Sequence, residues 1–200
     1  MIAVDNETKN AIIQEIETLK LLSNHPNIIQ FLCVQHIERD NKKQEEYLLV
    51  TELCKGGTLA DILRSLSGNS LSVTQICRIA YQATKAIHHM HSCRPSLIHR
   101  DIKLENFLVG SDGLIKLCDF GSATTQQIVP DTSWNAQKRS ALEESMAKYT
   151  TPMYRAPEMM DTWNNEPIGP PVDVWALGCI LYALTTLRHP FSEGIYFLFI

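Results

Sequence analysis

The chain has 200 residues, 44% of them apolar, with 18 basic against 22 acidic side chains and a formal charge of −4. That is ample apolar material for one folded core, and the lack of a basic run removes the electrostatic footprint of a nucleic-acid binder. Six cysteines with no C-x-x-C pair argue against a zinc site, a dithiol motif or a disulfide framework, and read as reduced intracellular thiols.

Asp5 and Glu7 stand where a signal peptide needs a basic and then an apolar segment. Residues 11–22 read as a helix, since Ile12, Ile16 and Leu19 recur at helical spacing. Asn24-His25-Pro26 ends it. Strands are expected over 27–34 and 47–53, joined by a charged turn over 38–46. Thr58 to Asp61 and Ser72 to Gln75 each fit a capping box. The first opens a helix with Leu59, Ile62, Leu63 and Leu66 on one face. The second opens a long helix with a stripe of Val73, Ile76, Ala80, Ala83, Ile87 and Met90.

Leu97-Ile98 reads as a short strand leading into Ile98-His-Arg-Asp-Ile-Lys-Leu-Glu-Asn106. Within six positions this loop holds an acid, a lysine and an amide. Asp101 can accept a proton from a hydroxyl, Lys103 can neutralise a phosphate, and Asn106 can offer a carbonyl oxygen to a metal ion. Strands at 107–109 and 114–118 form a hairpin around Gly110 to Gly113. The hairpin places Asn106 before one strand and Asp119 after its partner, so both side chains can reach one ion.

Residues 121–148 have weak periodicity and read as a long mobile segment, closed by 150–158 with two prolines. Residues 172–187 read as a buried helix. At 16 residues including Asp173 it is shorter than the roughly 20 a membrane span needs. His88-His89-Met90-His91 has the look of a metal site, but the surrounding sequence offers it no acid. His99 reads as a packed core histidine, and Glu15 taken alone reads as a solvated helix charge.

His99 to Asn106, then Asp119-Phe120-Gly121, then Ala156-Pro157-Glu158 resembles the eukaryotic protein kinase series. Lys103, and Thr151 ahead of Tyr154, resemble the serine/threonine class. The stretches 117–125, 150–155 and 173–181 look like the Numb-associated kinase family, and the likeness runs from about residue 10 to about residue 194. It implies an α+β, bilobal kinase-like fold with an incomplete small β-rich lobe (1–54) and an incomplete, mainly helical large lobe (55–200).

The resemblance also implies roles. Asp101 is the catalytic base and Lys103 contacts the transferring phosphate. Asn106 and Asp119 bind Mg²⁺, and both belong to the ATP site. Thr51 guards the adenine pocket, Glu52 and Cys54 form the hinge, and Leu108 lies beneath the ring. Glu15 pairs with a strand lysine, Asp173 braces the catalytic loop, and His99, Phe120 and Glu158 support the site. ATP and Mg²⁺ are the implied cofactors. The implied substrates are proteins, clathrin adaptor subunits among them, and the implied setting is the cytoplasm at clathrin-coated vesicles.

The chain departs from the family at both ends. The glycine-rich loop and the strand lysine are absent from the sequence, and Lys9 lies only six residues before Glu15. Residues 195–200 form an apolar tail where further helices, and an arginine for Glu158, are expected. The expectation is a partial gene product or truncated isoform. Two rival functions follow: a catalytically impaired kinase-like fragment acting as a binding module, and a small-molecule kinase of the aminoglycoside type, which shares a similar acid-to-amide loop. The stretch 151–158 argues against the second rival.

Overall fold

The first helix begins well before its apolar stripe does. In the computed structural model, which describes residues 1–38 and 45–191, α1 covers Asn6–Leu22 rather than 11–22. Asp5 is the reason. Its carboxylate accepts the Thr8 N–H and the Thr8 hydroxyl, both at 2.7 Å, and so caps a polar first turn. Ile12, Ile16, Leu19 and Leu22 are buried along one side, as the stripe requires.

A three-stranded antiparallel sheet has the order β1 (Ile2–Ala3), β3 (Glu45–Thr51), β2 (Phe31–Glu38). Ala3, Ile12, Ile16 and Tyr47 form the core between this sheet and α1. The first of these long strands starts at 31, not 27, because residues 27–29 are used elsewhere. Ile29 N–H donates to Leu117 O and Leu117 N–H donates to Asn27 O, both at 2.9 Å. The expected turn over 38–46 falls mainly on 39–44, which lie outside the described residues, as does the apolar tail at 195–200.

Both capping boxes form. Asp61 N–H donates to Thr58 Oγ1 at 3.0 Å and Thr58 N–H donates to Asp61 Oδ2 at 2.9 Å, opening α2 (Leu59–Ser65). Ser72 and Gln75 do the same for α3 (Val73–His91). The stripe of α3 differs from expectation. Val73 is exposed, and Ile79 and Ala86 are buried with Ala83, Ile87 and Met90. The box residues occupy the first turn at the surface, so burial starts only after it.

The expected hairpin is β4 (Phe107–Val109) against β5 (Ile115–Leu117), with Phe107 opposite Leu117. Ile98 pairs with Thr124 as an isolated bridge. Beyond it the mobile-segment reading of 121–148 is corrected, because Ala136–Tyr149 is a helix, α4. It carries no apolar stripe. Its buried residues are Arg139 and Met146, and Asn135 Oδ1 caps it from the Lys138 N–H at 2.9 Å. A buried arginine anchors it, and apolar periodicity cannot register that.

α5 (Pro157–Met160) and α6 (Pro171–Thr186) follow. Ala176, Leu177, Cys179, Ile180, Ala183 and Leu184 of α6 join α1, α2, α3, β4 and β5 in the main core, whereas Val174 and Tyr182 are exposed. So α6 is buried on one flank rather than all round. Among the described residues no helix is long and apolar enough to cross a membrane, and all six cysteines are free thiols. The architecture is α+β, small antiparallel sheets among helices, as expected.

Candidate active site

The loop after Ile98 is held from below by one carboxylate. Ile98 exchanges backbone hydrogen bonds with Thr124 at 2.8 and 2.9 Å. The next two amides turn inward: His99 N–H donates to Asp173 Oδ2 at 2.8 Å and Arg100 N–H to Asp173 Oδ1 at 2.9 Å. Asp173 sits in the first turn of α6 with 1% exposure, so these bonds are the compensation for burying its charge. Arg100 has φ 67°, a left-handed conformation that is costly away from glycine, and its Nε donates to Ser122 O at 2.6 Å.

His99 is fully buried, as expected of a core histidine. Its Nε2 faces Cys118 O at 3.2 Å and its Nδ1 accepts the Asp101 N–H at 3.3 Å, a pattern that the neutral Nε2–H tautomer satisfies. Phe120, also buried, tilts against the His99 ring at 5.4 Å. These two rings tie the Asp101 loop to the Asp119 turn.

The Asp101 carboxylate is the centre of a polar knot. Lys103 Nζ donates to Oδ2 at 2.6 Å, and Thr151 donates to Oδ1 from its hydroxyl at 2.6 Å and its N–H at 3.1 Å. Lys103 Nζ also reaches Thr151 Oγ1 at 3.2 Å. Burial pushes the Asp101 carboxyl up. The hydrogen bonds from Lys103 and Thr151 and the Lys103 charge outweigh it and hold the group below its ordinary value. Asp101 is therefore an ionised acceptor at neutral pH.

Asn106 is buried in a short turn, Leu104–Asn106, just before β4. Its Nδ2 donates to Asp101 O at 2.9 Å, which commits the amide nitrogen and leaves Oδ1 as the atom able to accept or to ligate a cation. Cys118 N–H donates to Asn106 O at 2.9 Å, so the hairpin ends together and Asp119 follows at once. Asp119 is exposed, with φ 64°. Glu15 of α1 reaches the same turn: a Cβ added at Gly121 would lie 3.3 Å from Glu15 Oε2 and 3.6 Å from Asp119 Oδ1. Burial and then the Asp119 charge push the Glu15 carboxyl up. Glu15 is thus no solvated surface charge.

No group of three or more His, Cys, Asp or Glu side chains with metal-holding geometry occurs among the described residues. A hard cation here would rest on the oxygens of Asn106 and Asp119 plus water and phosphate oxygens. That donor set fits Mg²⁺, which keeps several waters and needs only one or two protein carboxylates.

The residues that the resemblance assigns to the adenine pocket and hinge, Thr51, Glu52 and Cys54, lie at and just after the end of β3. Thr51 ends that strand, and its Oγ1 approaches Glu52 O at 3.4 Å. Glu52 N–H donates to Gln30 O at 3.0 Å, and the Glu52 carboxylate accepts the Gln30 N–H at 2.8 Å and meets Lys116 Nζ at 3.1 Å. The backbone past Cys54 crosses β4 closely. Gly56 N–H donates to Val109 O at 3.0 Å, and a Cβ on Gly56 would sit 2.6 Å from Val109 Cβ. Leu108, at the middle of β4 and half-buried, bridges to Thr58 beneath this crossing.

Glu158, half-buried in α5, lines a cavity of about 600 Å³ with His91, Pro170, Pro171, Val174 and Trp175. Three groups near the site were not foreseen as functional. Thr151 bonds Asp101, Lys116 ties Glu52 to β5, and His91 contacts Asp173 at 2.8 Å. Thr151 had a signal in the Thr150 to Glu158 stretch. The other two depend on chain segments far apart in sequence.

The sequence matches the protein kinase domain over residues 2–196. A probable serine/threonine-protein kinase of Dictyostelium discoideum is 35% identical over 193 residues, covering 95% of this chain and 17% of that protein. Actin-regulating kinase 1 of Saccharomyces cerevisiae is 35% identical over 196 residues, 97% of this chain and 30% of its own length. Actin-regulating kinase PRK1 of the same yeast is 34% identical over 185 residues, 92% and 22% respectively. The chain thus spans less than a third of each of these relatives.

Proposed function

This chain belongs to the protein kinase domain family, and from that premise we propose that its site transfers the γ-phosphoryl group of ATP to serine or threonine hydroxyls of proteins. The observation that carries the reading is the knot around Asp101, where an ionised carboxylate, the Lys103 ammonium and the Thr151 hydroxyl lie within hydrogen-bond reach of one another. Asp101 accepts the proton of the attacking hydroxyl. Lys103 swings its charge from Asp101 to the phosphate oxygens. Asn106 and Asp119 would hold Mg²⁺, which when bound would supply neutralisation of phosphate charge. Thr51, Glu52, Cys54 and Leu108 receive the adenine, with the hinge backbone offering donors and acceptors. The serine/threonine preference is supported by Lys103, by Thr151 and by the relatives' names.

The finer assignment is to the Numb-associated type, of which cyclin-G-associated kinase is one member, acting in the cytoplasm on clathrin adaptor subunits. It is supported by the likeness of residues 117–125, 150–155 and 173–181. The two yeast relatives are named for actin regulation, so actin-regulatory proteins belong in the same substrate panel. The second reading, a kinase-like binding module, is favoured by Glu15, whose carboxyl is pushed up by burial and then by the Asp119 charge.

The test is phosphate incorporation into a protein substrate by wild type and Asp101→Ala, alongside a Mg²⁺·ATP thermal shift. A loss of roughly 10²–10⁴ in rate with the shift retained supports the kinase reading. Equal incorporation by both removes Asp101 from the mechanism. No shift and no transfer in wild type favours the binding module.

A further inference from the structure

His25 lies in the loop after α1 and His89 near the end of α3, yet their rings stack. The centroids are 4.6 Å apart and the planes differ by 18°. We propose that the pair is an acid-released clasp: with His25 neutral it seats the 24–29 loop on α3, and a proton on His25 opens it. The proposal stands on the fold alone and does not depend on the kinase reading.

A hydrogen bond sets the protonation state that the closed clasp needs. His25 Nδ1 accepts the Asn27 N–H at 3.1 Å, so that nitrogen carries no proton and the ring is the neutral Nε2–H tautomer. Protonation turns the acceptor into a donor and breaks the bond. The surroundings do not answer the new charge. His89 Nε2 is buried with no hydrogen-bond partner among the described residues, and Lys85 of α3 adds a positive charge beside His25. Cys93, one turn after His89, is a thiol that burial pushes up, and its Sγ donates to His89 O at 3.5 Å, so it brings no negative charge. From β5, Lys116 Nζ donates to Pro26 O at 3.3 Å. Among the described residues no carboxylate pairs with either ring. Burial first, then His89 and Lys85, hold the His25 imidazole below its ordinary value.

The loop that the clasp seats is a junction. Asn27 is buried, and its Nδ2 donates to Ile115 O at 2.9 Å and to Gln82 Oε1 of α3 at 3.1 Å. Leu117 N–H donates to Asn27 O and Ile29 N–H donates to Leu117 O, both at 2.9 Å. Leu117 stands two residues before Asp119, and α1, which feeds the loop, carries Glu15. Opening the clasp therefore slackens the tie between α1 and the hairpin end that presents Asp119. A depressed histidine contributes stability that is full above its unfolded value, near 6.5, and lost as pH falls towards the folded value. The release accordingly belongs to mildly acid conditions.

The experiment uses the full chain as wild type, His25→Asn and His25→Phe, with amide exchange read by NMR from about pH 8 to about pH 5. Rates are converted to protection factors, which removes the intrinsic pH dependence of exchange. Asparagine keeps an acceptor for the N–H two residues on, as in an Asx turn, and does not titrate. Phenylalanine keeps a ring on His89 and loses the acceptor. The probes are the Asn27, Ile29 and Leu117 amides, each taken relative to Ala83 in the middle of α3, which reports global opening. Loss of one such hydrogen bond corresponds to about three- to tenfold in an equilibrium. The expected result is a fall in wild-type protection by about that factor as the pH drops below about 6.5, and no pH dependence in either variant, with the phenylalanine variant at the low level throughout. If phenylalanine does not fold, wild type against asparagine decides. The same acid loss in His25→Asn, or a wild type whose three probes keep step with Ala83, overturns the proposal.

Discussion

Thr151 and Asp101, 50 residues apart in sequence, share a 2.6 Å hydrogen bond, and the Thr151 N–H adds a second at 3.1 Å to the same oxygen. The segment that follows α4 is thereby tied to the proposed base. Thr151→Val keeps the shape and removes the hydroxyl. Hydrogen bonds to charged groups contribute about 1.5–3 kcal/mol, so kcat should fall about 10- to 100-fold. Thr151→Ser should retain most of it. A steady-state assay of the three proteins checks this, and equal kcat for valine and serine would separate Thr151 from the base.

The same bond sets a pH dependence. Burial raises the Asp101 carboxyl, but Lys103 and Thr151 bring it below its ordinary value overall. A depressed acid contributes stability that is full above its unfolded value, near 4, and lost as pH falls through the folded value. Activity requires the ionised form, so its acid limb lies below that ordinary value in wild type. Removing the Thr151 hydroxyl should move the limb to higher pH. A kcat/KM profile on the acid side reads the direction.

Arg139 predicts a structural effect. It is 3% exposed, and its guanidinium donates to Asp131 O at 2.7 Å, to Asn165 Oδ1 at 2.8 Å and to Thr162 O, while lying 4.7 Å over the Trp163 ring. Arg139→Met should cost about 3 kcal/mol by stranding buried carbonyls, a drop in Tm of roughly 6–12 °C. Arg139→Lys should not rescue it, because one ammonium cannot reproduce the planar fork. Calorimetry reads the loss, and limited proteolysis should place new cuts in α4.

These cases also mark what was legible in the sequence. The capping boxes at Thr58 and Ser72 were readable because each spans four residues and needs no tertiary partner. The hairpin at 107–117 was readable for the same reason. Asn27-Ile28-Ile29 misled because an apolar pair looks alike whether it joins a sheet or, as here, packs against Leu117 from another sheet. α4 was invisible because Arg139 holds it, and an arginine in a polar stretch signals solvent. Within the site, Asp101, Lys103, Asn106 and Asp119 were identified by type and spacing. Their braces, Thr151 and His91, lie 50 and 82 residues from the groups they hold, and only folding brings them together.

Cys118 is half-buried beside Asp119, and burial first, then that charge, pushes its thiol up to about 12. At pH 8 the thiolate fraction is on the order of 10⁻⁴, and the thiolate is the reactive form. Exposed Cys33 and Cys77 should therefore react with iodoacetamide first, and Cys118 only after denaturation. Peptide mapping of the native protein checks the order. Early labelling of Cys118 would mean that its neighbourhood opens readily.

Glu15 gives the opposite sign to Asp101. Burial, then the charge of Asp119, raises its carboxyl. A raised acid binds its proton more tightly folded than unfolded, so folding is favoured below the ordinary glutamate value. That advantage is lost as pH rises through the interval up to the raised value. Glu15→Gln abolishes the titration while keeping the shape. The Tm of the variant should match wild type at the acid end and exceed it increasingly towards pH 7, in a thermal series across buffers. A cation held beside Asp119 offsets the charge that faces Glu15, so Mg²⁺·ATP should shrink the difference at pH 7. If the nucleotide stabilises both proteins equally and the difference persists, Glu15 does not feel the site that Asp119 serves. Its raised carboxyl then reflects burial alone.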